Sequence, residues 1–320
     1  MSLFWVLMAK ICPLYFNIGL GYLAARCCQV DRTAIAALLF YIISPLVVFS
    51  AVLSVRIDPG VALLPVFFYL LCSLIAVVGA KVFRPHWPDS TGNILAFTAG
   101  TGNSGYFGIA LAVIIFPPAV ADIFIFTVLA SFFYESTVGF YIAAKGSFTP
   151  RQSLGMVARL PVLYAFVLGL ACNLGGIVLP ELLLRYSEQF KAIYSILGMM
   201  VIGMGLDGLR QGGGMDRLFM TISLGVKHLL WPLLIFAVIL LDRVSTHLLS
   251  PNLHIVMFVF SIVPMAGNTV TLAILVKARP EKAALAVMLS TLLAIVTVPF
   301  MITAYLHFFG GEASALFGVQ

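Results

Sequence analysis

Ala99-Gly100-Thr101-Gly102-Asn103-Ser104-Gly105 stands in the middle of a hydrophobic run, and the architecture turns on whether this stretch is helix or a break in one. A membrane-spanning helix needs about 20 apolar residues, and each glycine inside it costs roughly 0.8–1 kcal/mol relative to alanine. Asn103 and Ser104 are better suited to cap a second half-helix that begins near Tyr106. A second stretch, Pro264-Met265-Ala266-Gly267-Asn268-Thr269, has the same plan. There the proline removes a backbone donor and clashes with the preceding turn. Gly267 loosens the chain, and Asn268 or Thr269 can cap the following half-helix. In hydrocarbon every backbone N–H and C=O needs an internal partner, so a broken helix survives only where protein or a watery cavity covers it. Two such breaks in corresponding halves of one chain point to a transporter binding site. The plainer alternative is a pair of packing glycines, each beside an asparagine that bonds a neighbouring helix.

Composition places these stretches in a membrane. Of 320 residues, 62% are hydrophobic and only 9% charged, and the mean hydropathy is +1.11. A water-facing surface would demand about a quarter charged residues. The lipid bilayer is thus the first partner. The net charge of +6 does not indicate nucleic acid, because the basic residues sit in short loops, where they set orientation. Cys12, Cys27, Cys28, Cys72 and Cys172 are odd in number and lack metal-ligand spacing, which argues against a disulfide framework or a metal site. The apolar segment from Met1 to Phe16 carries Lys10 and lacks a basic leader region, so it reads as a retained first helix.

The chain holds ten spans, near 3–25, 34–55, 61–83, 93–116, 121–144, 156–179, 190–209, 218–241, 253–277 and 283–307. Of the 18 Lys and Arg, twelve fall on one side, and Lys10, Arg56, Arg185, Lys191 and Arg243 on the other; Lys227 lies inside a span. The richer side is then cytoplasmic, with both termini outside. The expected class is an all-α polytopic membrane protein of ten transmembrane helices. Division into 1–150 and 151–320 gives five helices per half, and an odd number forces the second half to run inverted. The two breaks fall in spans four and nine, which cross where they unwind. The N-terminal ends of their second arms carry partial positive charge and free N–H groups suited to a carboxylate. The asparagines also offer acceptors, so a cation is equally accommodated. Gly102, Asn103, Ser104, Gly105, Pro264, Gly267, Asn268 and Thr269 are the candidate binding residues.

Three polar residues within spans accompany them as candidates for coupling or charge compensation. Glu135, midway along span five, either carries a coupling proton or cation or packs as a hydrogen-bonded glutamate. Lys227 neutralises a substrate carboxylate, pairs with Glu135, or reaches back toward the basic side; the last is the favoured reading. Asn17 lines the cavity or bonds a neighbouring helix. His228 reads as a packing group, and Asp207 as the local partner of Arg210.

Several motifs resemble the auxin efflux carrier family of bacterial permeases. Gly102-Asn103-Ser104-Gly105-Tyr106-Phe107-Gly108 is similar to that family's broken helix, and the run from Ala266 to Pro299 resembles its last two helices. Leu39-Phe40-Tyr41-Ile42-Ile43-Ser44-Pro45 and Lys227-His228-Leu229-Leu230-Trp231-Pro232 resemble its second and eighth. The resemblance implies two inverted five-helix repeats, crossing helices four and nine, and scaffold and transport domains each drawn from both repeats. It also implies transport of small organic anions: malonate, malate and similar carboxylates in bacterial members, the indole acid auxin in plant ones. Two positions depart from the family pattern, Ala110 and Met265, where prolines are usual.

The function expected is secondary transport of a small mono- or dicarboxylate by alternating access, in the bacterial inner membrane, without cofactor. Coupling to Na⁺ or H⁺, the direction of transport and homodimer formation are left open. A cation-coupled symporter of larger amphipathic anions, resembling the bile-acid carriers, is the same-fold alternative, and a solute sensor a further one. No phosphate-binding loop appears, and His86, His228, His247, His254 and His307 do not cluster, so the chain does not read as an enzyme.

Overall fold

The structure is a computed structural model that describes residues 3–87, 89–143, 160–205, 216–267, 269–270 and 280–309. These residues form ten helices and no strand. They are α1 (Leu3–Cys28), α2 (Arg32–Ser54), α3 (Pro59–His86), α4 in two arms (Thr91–Ala99 and 104–115), α5 (Pro118–Ala143), α6 (Pro161–Leu174), α7 (Glu181–Met204), α8 (Arg217–Thr246), α9 (Pro251–Ile262) and α10 (Pro280–Phe309). Six of them, α1, α2, α3, α5, α8 and α10, are long and apolar enough to cross a membrane. The chain is a multi-pass membrane protein.

The surface carries the same message. On α3, Val61, Leu64, Phe68, Cys72, Ala76 and Gly79 turn inward at helical spacing, while Leu63, Val66, Leu70, Leu74 and Val78 lie exposed on the other face. A helix that is apolar all round yet half exposed requires lipid, not water, as its solvent. The interrupted helices sit deepest. Every residue of the first arm of α4 is buried, as is every residue of α9 from Leu253 to Ile262. The broken backbone is therefore covered by protein, the condition hydrocarbon imposes.

Around this centre α1 packs along α7, and α6 along α2, with α2 also meeting α7. The other set comprises α3, α4 and α5 together with α8 and α9. The α1–α7 approach depends on glycine. A Cβ on Gly21 would run into the Met200 carbonyl, and one on Gly203 into that of Ile18. Widened π turns at Leu39–Ile43 and Val226–Leu230 precede Pro45 and Pro232. Proline cannot donate to the fourth carbonyl back, and the helix yields there by widening.

Two boundaries correct the sequence reading. α7 begins at Glu181, not near 190, so Lys191, counted on the outer side, lies in mid-helix. Its Nζ donates to Asp122 Oδ1 at 2.6 Å and Glu188 Oε1 at 2.7 Å. α6 ends at Leu174, ahead of Gly175 and Gly176, instead of running to 179. Asn173 near its end donates to the carbonyls of Val52, Leu53 and Val55, and so caps α2. The division expected at 150/151, the Asp207–Arg210 pair and the continuation of α9 beyond 270 lie outside the described residues.

Candidate functional site

The first arm of α4 stops at Ala99, and the next arm starts at Ser104. The last carbonyls of the first arm meet aromatic donors: Tyr134 Oη donates to Phe97 O at 2.9 Å, and Trp231 Nε1 to Ala99 O at 2.7 Å. These side chains satisfy groups that a helix end leaves unpaired. Asn103 then caps the second arm, its Oδ1 accepting from Phe107 N–H at 3.3 Å. The backbone N–H of the same residue donates to Pro264 O at 2.7 Å. One hydrogen bond thus ties the break in α4 directly to the break after α9. Gly102 makes this approach feasible, since a Cβ there would come within 2.9 Å of Val263 Cγ2. On the other side of the second break, Met265 N–H donates to Ser290 Oγ of α10 at 2.9 Å.

Glu135 of α5 comes to the same place. Thr101 Oγ1, within the break, donates to Glu135 Oε1 at 2.8 Å, and one turn earlier Ser131 accepts from Ser104 at 2.8 Å. Gly102, Asn103, Ser104, Gly105, Ser131 and Glu135 share a cavity with Tyr106, Phe132, Tyr194, Ala266 and Gly267. Its volume is about 40 Å³, enough for a few water-sized groups. Two buried polar atoms beside the breaks, Asn103 Nδ2 and Thr269 Oγ1, have no hydrogen-bond partner among the described residues. A buried donor left without a partner costs about 1–3 kcal/mol, and Asn103 is one of the residues that line the cavity.

Lys227 overturns the expectation that it reaches back toward the basic end. It is 4% exposed, and Gly102 is the residue whose missing Cβ leaves room for its Nζ. The ammonium lies 5.1 Å from the centre of the Trp231 ring, a cation–π distance. Lys227 lies in the π turn at Val226–Leu230, where it is buried, and the carbonyl end of the first α4 arm favours a cation there. Lys227 is not itself in the cavity lining. His228 is a hydrogen-bonding group, its Nε2 2.9 Å from Ser290 Oγ.

The remaining candidates divide. Pro264 contributes its carbonyl to the junction, Gly267 lines the cavity, and Thr269 is fully buried. Asn268 lies outside the described residues. Asn17 is half-buried on α1 and is not brought to the cavity. Sequence reading missed Thr101, Tyr106, Ser131, Phe132, Tyr194 and Ala266. Ser131 carried a usable signal, since it stands four residues before Glu135 and hence on the same helix face. Tyr194 carried none: it reaches the cavity from α7, a contact that only tertiary structure reveals.

A scan against protein-family models matches none, and a search of curated proteins returns no similar one.

Proposed function

We propose that this chain is a secondary transporter of a small organic anion, a mono- or dicarboxylate, of the kind its motifs resemble in the auxin efflux carrier family. The observation that carries the reading is the Asn103 N–H to Pro264 O bond, which joins two helix breaks inside fully buried segments. Beside it stand an amide donor without a partner among the described residues and the N-terminal end of a helical arm, both suited to a carboxylate. Lys227, one residue's thickness away across Gly102, supplies compensating charge. The cavity of about 40 Å³ is too small for a three- or four-carbon acid. Transport therefore requires the helices around it to separate, which is the alternating-access step. The packing of α1, α2, α6 and α7 on one another supports one set as scaffold and the other as the moving part. The halves would be inverted five-helix repeats in the plasma membrane, with both termini outside.

Glu135, bonded to the break through Thr101, is the group we assign to coupling, with H⁺ or Na⁺ as the coupled ion. A second reading, symport of a larger amphipathic anion with a cation, draws on the aromatic wall of Tyr106, Phe132 and Tyr194 around that carboxyl. Flux of a labelled dicarboxylate into proteoliposomes, with and without Na⁺ and pH gradients, separates these readings. Loss of flux in the Asn103→Ala, Asn268→Ala double variant supports the crossover; unchanged flux removes it from the mechanism.

A further inference from the structure

A second cavity lies away from the crossover, between the end of α3, the start of α4 and the end of α5. Its volume is about 430 Å³, and its lining includes Val77, Lys81, Arg84, Asn93 and Tyr141. Lys81 and Arg84 are three residues apart and share one side of α3. Both side chains are exposed, and neither forms an ion pair with a described residue. Asp216, which meets Trp87 just beyond α3, is already committed to Lys282. Asn93 is 8% exposed, and its side-chain amide, which lines the cleft, makes no hydrogen bond with a described residue. Among the described residues, two cations without an acidic partner and a buried amide thus face one space.

We propose that this cleft binds the phosphate head group of an anionic phospholipid. The chemistry fits a phosphate: Arg and Lys supply charge and donors, and the amide supplies a further donor. A lipid, not a soluble phosphate, is indicated by the apolar surface that flanks the mouth. Val77 is 41%, Val78 50%, Val82 52% and Tyr141 43% exposed, so an apolar strip continues from the basic rim along the lipid-facing surface of α3. Acyl chains lie along such a strip, and the rim stands at the level where basic residues meet lipid head groups.

The test is lipid retention by the purified full-length protein, measured by native mass spectrometry with phosphatidylglycerol and phosphatidylcholine of identical chains. Wild type should retain phosphatidylglycerol in ~10- to 30-fold preference, the scale expected of two basic residues at a membrane surface. In Lys81→Gln/Arg84→Gln the ratio should fall toward one, with the thermal midpoint in phosphatidylcholine unchanged. Should that variant fail to fold, Asn93→Ala, which leaves the charges in place, should lower the ratio severalfold. Equal retention of both lipids by wild type, or an unaltered ratio in the variants, overturns the assignment. So does displacement of the lipid by glycerol phosphate or a soluble dicarboxylate at equal concentration, which would make the cleft a site for soluble anions.

Discussion

Replacing Asn103 by alanine separates what this side chain does for the fold from what it does for a ligand. The substitution removes the Oδ1 cap on Phe107 N–H, a bond of 3.3 Å and so a long one; capping residues are worth about 0.5–2 kcal/mol, and this one belongs at the low end. It also removes Nδ2, a buried donor without a described partner, whose relief returns about 1–3 kcal/mol. The backbone N–H bond to Pro264 is untouched. The two changes offset one another, and stability should stay within about 2 kcal/mol of wild type. Function should not. A hydrogen bond to a charged carboxylate contributes roughly 1.5–3 kcal/mol, so apparent affinity for the transported anion should fall about 10- to 150-fold. The assay pairs thermal unfolding in detergent with concentration-dependent flux in proteoliposomes, normalised to folded protein. Asn103→Asp, which keeps the cap acceptor but replaces the donor by an anionic oxygen, should be folded and still less active. Wild-type flux from Asn103→Ala would exclude the amide from anion binding. So would a loss of more than about 4 kcal/mol of stability, because the amide would then be structural.

The packing and the charges set further expectations. Lys191→Met should cost about 3–5 kcal/mol by leaving Asp122 buried without its cation, whereas Asp122→Asn should cost less because Glu188 still holds Lys191; chemical denaturation of both variants and the double variant measures the difference. Gly203→Ala should destabilise by about 3 kcal/mol or prevent assembly, since the added carbon meets backbone of α1. Gly225→Ala, with open space around it, should be neutral or stabilise by up to about 1 kcal/mol. Partial burial works against ionisation of Asp216, but bonds from Lys282, the Phe219 amide and the Trp87 indole outweigh it and hold the pKa to about 2. The stabilisation is therefore complete above the ordinary carboxylate value near 4 and fades as pH falls from there through 2. Thermal midpoints measured from pH 5 downward should decline less steeply in Asp216→Asn than in wild type, because the remaining carboxylates, Asp242 among them, still titrate in both.

The helices were legible because lipid leaves the sequence few choices. Hydropathy located the helices, six of them long and apolar enough to cross a membrane, and Gly102, Asn103, Pro264 and Gly267 marked the breaks, since backbone chemistry alone disqualifies those stretches as continuous helix. What escaped was whatever depends on one helix meeting another. The start of α7 was misplaced because Glu181, Arg185 and Glu188 stood outside the expected span, while the partner of Lys191, Asp122 of α5, is distant in sequence. Lys227 looked able to reach back because its turn distance was counted on a regular helix. It is buried within the π turn ahead of Pro232, and the bare face of Gly102 leaves room for its Nζ. Thr101 could not be read as a cavity-side group for the same reason: its partner, Glu135, lies 34 residues away in sequence.

Whether an organic anion is held where the two breaks meet can be seen in an experimental density map of the full chain in lipid, recorded with a saturating small dicarboxylate. The expected map shows a ligand carboxylate in contact with the Asn103 side chain, in a cavity wider than the one described, with non-helical backbone through 100–103 and 263–267. A continuous α4, or a ligand seated away from both breaks, would rule out the crossover as the binding site.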